Sequence, residues 1–130
     1  MSVLDASAIL AFLFKEEGAE RVRPLLATSI VSAVNWAEVL GRFTRDGHDG
    51  RQVEQRLLQL GLTCAPYTAV HALATAALVP WTRPFGLSLG DRACLALAIL
   101  EQRSAVTSDR AWLGLNGHPS ALMPNVVSIR

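Results

Sequence analysis

Apolar positions change period repeatedly along the chain, and each change marks the border of a predicted element. Ser2-Val3-Leu4-Asp5 is a short apolar run ending in a carboxylate, which predicts a strand. Ala6 to Phe14 follows with Ile9, Leu10, Leu13 and Phe14 at helical spacing. Gly18 breaks the pattern, and Ala19 to Ala27 predicts a second short helix carrying Glu20, Arg21 and Arg23. Ser29-Ile30-Val31 predicts a second strand. Ser32 then stands as a natural N-cap for a helix over Ala33 to Arg45, with Val34, Ala37, Val39, Leu40 and Phe43 as its buried face. The polar stretch Thr44 to Gly50 predicts a loop. Gln52 to Leu60 is amphipathic, with Val53, Leu57, Leu58 and Leu60 facing inward, and Gly61 ends it. Leu62 to Pro66 predicts a third strand. Thr68 to Leu78 predicts a small-residue helix in which His71 is a satisfied, partly buried histidine.

The second half is dominated by Ala93 to Leu100, a run without charge. A helix there is apolar on every side and belongs inside the domain. Just before it, Ser88-Leu89-Gly90-Asp91-Arg92 approximates a capping box, with Ser88 as N-cap and Asp91 favoured by the helix dipole. Val79 to Leu87 contains Pro80, Pro84 and Gly86, so it is expected to leave the helical pattern as a loop presenting Trp81, Arg83 and Phe85. Ala105-Val106-Thr107 predicts a strand, followed by Ser108-Asp109-Arg110 and a short helix through Trp112 and Leu113. Asn116 to Pro124 predicts a loop and Val126 to Ile129 a last strand. Strands and helices alternate throughout, so the expectation is one α/β domain over residues 1–130 with a mostly parallel central sheet.

Composition narrows the function classes. The chain is 51% hydrophobic and 18% charged, as a globular domain is, and its formal net charge of +1 gives no broad attraction to nucleic acid or membrane. Lys15 is the lone lysine among twelve basic residues. Cys64 and Cys94 form no CxxC and sit in apolar stretches, which predicts buried free thiols. Met1 to Phe14 contains Asp5 and lacks a basic start, so it is a poor signal peptide. No uncharged run approaches bilayer-spanning length. The expected location is the cytoplasm.

Asp5, Asp91 and Asp109 recur where helices begin, and Asp5 and Asp109 directly follow predicted strands. Capping alone accounts for three such aspartates. In an open parallel sheet, however, C-terminal strand ends converge on one crevice. Carboxylates crowded there have raised pKa values and destabilise the fold unless a cation neutralises them. Oxygen donors without His or Cys point to Mg²⁺ or Mn²⁺. His48, His71 and His118 are scattered, without HxxxH or HExxH spacing, which disfavours a zinc hydrolase. Gly-rich phosphate loops and GxSxG elbows are absent from the sequence. Ser7 falls in the first helical turn beside Asp5. Asn35 falls one turn before Glu38, on the same side of its helix.

Four segments together resemble the PIN domain, and within it the VapC-type toxins of bacterial toxin–antitoxin pairs. They are Val3-Leu4-Asp5-Ala6-Ser7-Ala8-Ile9-Leu10, Asn35-Trp36-Ala37-Glu38-Val39-Leu40, Leu87-Ser88-Leu89-Gly90-Asp91-Arg92 and Val106-Thr107-Ser108-Asp109-Arg110-Ala111-Trp112. The resemblance runs over essentially the whole chain, in the family's order. It implies a three-layer α/β/α sandwich and a metal-dependent ribonuclease. It also implies that Asp5, Glu38, Asp91 and Asp109 hold Mg²⁺ or Mn²⁺ and carry catalysis. Ser7 and Thr107 match hydroxyl positions lining that pocket, and Asn35 falls beside them. The resemblance further implies a homodimer, held inactive in a heterotetramer or larger assembly by a VapB-type antitoxin covering the active site.

Arg92 and Arg110, each next to a site acid, are candidate phosphate contacts; ion pairing or a surface position explains them as well. Trp81 and Arg83 are candidate RNA contacts, by base stacking and phosphate binding; pinning their loop to the core is the other role open to them. Three other functions are weighed. A DNA flap nuclease is disfavoured by the small size, and a non-catalytic RNA- or partner-binding module by the intact acids. An aspartyl-phosphate phosphatase is disfavoured because Asp5-Ala6-Ser7 lacks the second aspartate.

Overall fold

Two central strands, β1 (Ser2–Leu4) and β4 (Ser104–Thr107), are buried along nearly their whole length, as strands covered by helices on both faces must be. They lie inside a five-stranded sheet of order β3-β2-β1-β4-β5. There β2 (Ile30–Ser32) flanks β1 on the side away from β4, and β3 (Thr63–Ala65) and β5 (Val126–Ser128) form the edges. Every pairing is parallel, so the expected mostly parallel sheet is parallel throughout. The computed structural model describes residues 1–120 and 122–130. Ala121, within the loop expected over Asn116 to Pro124, lies outside the described residues.

Strand alternation divides the core. Leu4, Val31 and Val106 pack with Ile9, Val22, Trp36, Val39 and Leu57. Val3, Ala105 and Val126 face the opposite way, onto Cys94, Leu95, Leu97, Trp112 and Leu115. The first layer draws on α1 (Ala6–Leu13), α2 (Ala19–Val22), α3 (Ala33–Arg45) and α4 (Gly50–Gln59). The second draws on α5 (Ala69–Ala77), α6 (Val79–Thr82) and α7 (Leu89–Glu101). This is the expected three-layer α/β/α sandwich.

Helix starts follow their caps. Ser32 Oγ accepts from the Val34 amide (3.2 Å), and Asp49 Oδ1 accepts from Arg51 (2.9 Å). His71 is the reciprocal member of a cap: its Nδ1 accepts from the Thr68 amide at 3.1 Å. The expected satisfied histidine is thus a capping residue.

Several expectations are corrected. Val79 to Leu87 is not an open loop: α6 is followed by a 3-10 turn over Arg83–Phe85. Pro80 and Pro84 sit in the first turns of these short helices, where no amide donor is needed. The second helix stays α-helical only to Val22 and then tightens into a 3-10 segment, Arg23–Thr28, with Pro24 in its first turn. The segment after Asp109 is also 3-10, over Arg110–Gly117. In α3, Ala37 faces out while Trp36, absent from the expected face, is buried. Trp36 Nε1 donates to Glu54 Oε2 at 2.7 Å, which lets the indole turn inward without an unpaired donor. Leu58 is 53% exposed rather than inward. Leu100, at the end of the apolar run, is also exposed. Cys94 is buried and Cys64 half-buried, both free.

Burial predicts contrasting costs for leucine truncation. Leu95→Ala removes a fully buried side chain and should cost about 2–5 kcal/mol. Leu58→Ala should change stability by less than about 0.5 kcal/mol. Urea unfolding of both variants measures the contrast; equal losses would contradict the outward placement of Leu58.

Candidate active site

β1 ends by handing the chain to α1 through Asp5, which is only 3% exposed. Its amide donates to Val106 O of the neighbouring strand (3.0 Å), continuing the β1–β4 ladder. Its carboxylate is the α1 cap, Oδ1 accepting from the Ala8 amide at 2.9 Å. Oδ1 also accepts from Ser7 Oγ (2.7 Å), and Oδ2 accepts from Thr107 Oγ1 (2.8 Å). Both hydroxyls then act as acceptors on their other side. Ser7 Oγ takes the Ser108 amide (3.0 Å), and Thr107 Oγ1 takes the Asp109 amide (3.1 Å). Asp5 is thereby tied through Ser7 and Thr107 to the turn that carries Asp109.

Asp91 lies in the first turn of α7. Its Oδ2 accepts from the Ser88 amide at 2.9 Å while Ser88 Oγ accepts from the Asp91 amide at 3.2 Å. The capping box is real, and it orients a half-buried carboxylate toward the neighbourhood of Asp5. Burial pushes the Asp5 pKa from 3.8 up to about 6, against the lowering effect of its hydrogen bonds, and the Asp91 charge adds to the rise. Glu38, exposed on α3, comes to the same end of α7: Asn35 Nδ2 donates to Glu38 Oε1 (2.8 Å) and to Gly90 O (3.0 Å). The fully buried Cys94 thiol has its pKa raised well above its ordinary value, by burial first and then by Asp5, Asp91 and Glu38. Charges from three elements, Asp5, Asp91 and Glu38, are therefore felt at the buried Cys94 thiol.

Asp109 stands apart. It caps the 3-10 segment through Oδ1, which accepts from the Ala111 amide (2.9 Å), and it is exposed. It lines an open cleft with Glu17, Ser108, Arg110 and Arg130. Among the described residues, no three acid, histidine or cysteine side chains stand together as a ready metal shell. The chemistry of the donors nonetheless fits a hard divalent cation. They are carboxylate oxygens, one is held protonated into the weakly acidic range by burial, and the nearby thiol is kept neutral.

The outlying candidates are less concentrated. Arg92 is half-buried; its Nη1 donates to Leu87 O at 3.0 Å and its Nε is buried without a partner. Arg110 is exposed at the Asp109 cleft. Arg83 is exposed on the 3-10 turn. Trp81, 50% exposed, meets His118 edge-on with ring centroids 4.5 Å apart. It lines a hollow with Ile99 and Met123, and none of the four acids shares that hollow. Sequence reasoning missed Gly90. A Cβ on it would lie 2.5 Å from Glu38 Oε1. A glycine directly before an acid in a helical first turn was the available signal.

Parallel strands, helices on both faces and acids where strands β1 and β4 hand over to the next segment define a three-layer α/β protein. The chain belongs to the PIN domain family, which matches residues 2–115 and whose members are generally nucleases. Solved structures share the fold at low identity. A toxin–antitoxin complex from Klebsiella pneumoniae superposes with a TM-score of 0.75 at 17% identity, covering 100% of this chain and 98% of that one. FitAcB from Neisseria gonorrhoeae gives 0.69 at 19% identity, covering 99% and 98%. DNA-bound VapBC from Salmonella typhimurium gives 0.67 at 14% identity, covering 99% and 98%. No curated protein matches the chain. Among the described residues, no helix is long and apolar enough to cross a membrane.

The raised Asp5 pKa carries a stability consequence in metal-free protein. Below pH 3.8 both folded and unfolded chains hold the proton, and the full contribution is present. As pH rises to about 6 the unfolded chain releases it first, so stability falls across that window and stays low above it. At about 1.4 kcal/mol per unit, the loss is on the order of 3 kcal/mol. Asp5→Asn, which can still cap, should remove this dependence and be the more stable protein at pH 7 in chelator. Thermal unfolding from pH 4 to 7.5 tests it; parallel pH profiles for the two proteins would refute it.

Proposed function

We propose that this PIN domain is a divalent-metal-dependent endoribonuclease acting as the toxin of a toxin–antitoxin pair. What supports the metal is that buried Asp5, half-buried Asp91 and exposed Glu38 all lie toward the first turn of α7. Mg²⁺ or Mn²⁺ is the proposed ion, held by these three acids with Asp109 from the exposed side. When bound, such an ion lowers the pKa of a water nucleophile and neutralises charge that would repel phosphate.

The chain's own residues do the remaining work. Ser7 and Thr107 hold Asp5 in one orientation by donating to both of its oxygens. Ser88 holds Asp91 through its backbone amide, which donates to Oδ2. Glu38, exposed and reachable by solvent, is proposed to hold the ion through one carboxylate oxygen and to accept through the other the proton that water loses on attacking phosphorus. Arg110, open to solvent beside Asp109, is the proposed contact for a flanking phosphate. Arg92 spends Nη1 on Leu87 O and its Nε is buried, so its proposed phosphate contact falls to Nη2. Trp81 and Arg83 are proposed contacts to RNA beyond the cleavage point.

A VapB-type antitoxin is the proposed partner, covering the site, with the toxin as a homodimer in the complex and the cytoplasm as its location. Support comes from fold neighbours described as toxin–antitoxin complexes.

The decisive measurement uses protein freed of any partner, with structured RNAs and DNA flaps, with and without Mg²⁺ or Mn²⁺, beside Asp91→Asn. RNA cleavage should require the metal and fall at least about 100-fold in the variant, beyond what loss of a supporting contact costs. Circular dichroism should show the fold retained. Cleavage of the flaps alone would replace RNA with DNA as substrate. RNA binding without cleavage would reduce the protein to a binding module.

A further inference from the structure

Glu38 is exposed and long, so nothing in its own rotamer preferences fixes where its carboxylate lies. Two neighbours do. Asn35, one turn earlier on α3 and 1% exposed, commits one amide hydrogen to Glu38 Oε1 and the other to Gly90 O on α7. Flipping the amide would aim its oxygen at two acceptors, so the orientation is forced. The consequence is that Asn35 Oδ1 is buried without a hydrogen-bond partner. A fold selected for stability alone has no reason to keep that orphan, because an apolar residue of similar shape would leave none.

Gly90 supplies the other wall. It is buried in the first turn of α7, and a Cβ there would stand 2.5 Å from Glu38 Oε1, 2.6 Å from Oε2 and 2.7 Å from Cδ. The obstructing group is the end of a flexible side chain, not backbone. Alanine is also the better helix former. The backbone of α7 therefore does not require glycine at this position; the Glu38 carboxylate does.

We infer that Asn35 and Gly90 form a cradle that fixes Glu38 against the start of α7, one residue from Asp91, and that both are positioning residues for the acid site. The inference rests on the metal-nuclease reading given above. It assigns Asn35 a task beyond lining the pocket and gives Gly90 its first role. The cradle couples α3 to α7, so the exposed acid of α3 is held in register with the half-buried acid of α7. Gly90→Ala pushes the carboxylate out of the cradle, and Asn35→Leu removes its tether together with the orphan oxygen.

The test measures three quantities on Gly90→Ala, Asn35→Leu and Asp91→Asn: melting temperature in chelator, Mn²⁺ affinity by calorimetry without RNA, and kcat and KM for a cleaved RNA. Both cradle variants should melt within a few degrees of the parent. They should bind Mn²⁺ about tenfold more weakly, in the range that supporting residues command, and lose kcat with KM unchanged. Parental Mn²⁺ affinity and kcat in either variant would overturn the cradle, provided Asp91→Asn loses both. Losses that appear only with a collapsed melting temperature would also overturn it, since that is a structural role. If Asp91→Asn itself keeps parental affinity and cleavage, the metal-nuclease reading fails and the cradle with it.

Discussion

A carboxylate buried at the end of the central strand is the constraint to which the surrounding structure answers. Burying Asp5 disfavours its charge, and leaving such a group without partners would cost several kcal/mol. The fold recruits donors from both sides of the strand: Ser7 and the Ala8 amide from α1, and Thr107 from β4. That recruitment works in one register only. Leu4 pairs with Val106, which brings the next residues, Asp5 and Thr107, within hydrogen-bonding reach. A one-residue slip would also swap the faces of Leu4 and Val3 between the two cores. Core packing and acid placement therefore enforce the same alignment.

The second acid is held by a different device with the same logic. α7 is anchored by Ala93 to Ala98, all buried, so its first turn has little freedom to move. The capping box then sets the Asp91 side chain, and Cys94 lies beneath. Its thiol, with pKa raised by burial and by three acids, stays neutral at physiological pH, so no soft anion competes with the carboxylates for a cation. Rigid support and a neutral floor are what a site of fixed oxygen donors requires.

The sequence was most legible where local chemistry and tertiary structure agree. Ser32 and Ser88 announce the helices they cap, and the strand with its terminal acid at Asp5 is visible from four residues. The four motifs that carry Asp5, Glu38, Asp91 and Asp109 revealed the family before any geometry. Legibility failed where side chains outside the local window decide. Pro80 and Pro84 read as helix breakers, but at first-turn positions they are compatible with helix, so α6 looked like a loop. Leu58 and Ala37 fit an apolar stripe by period, yet the arc of α3 and α4 that meets the core is narrower than the stripe. Trp36 escaped notice because its partner, Glu54, lies on another helix. Gly90 escaped for the same reason: the side chain that excludes a Cβ comes from α3.

The acids thus fall into two tiers, and the division bears on how such a site can be both stable and usable. Asp5 and Asp91 belong to the sheet and the buried helix, and their orientations are part of the fold. Glu38 and Asp109 are exposed, and each depends on a shorter list of restraints. Asp109 has its own cap and a backbone tie to Thr107, which fix the turn but leave its carboxylate facing an open cleft. Glu38 has the Asn35 amide and the bare face of Gly90. Crowding all four carboxylates into a closed, ion-free pocket would add repulsion to a site where Asp5 is already destabilised by burial. Keeping Glu38 at the rim and Asp109 on an open cleft avoids that repulsion in the empty protein. The exposed acids are then the ones whose positions most need restraint from neighbouring residues, which is the task the proposed cradle gives Asn35 and Gly90.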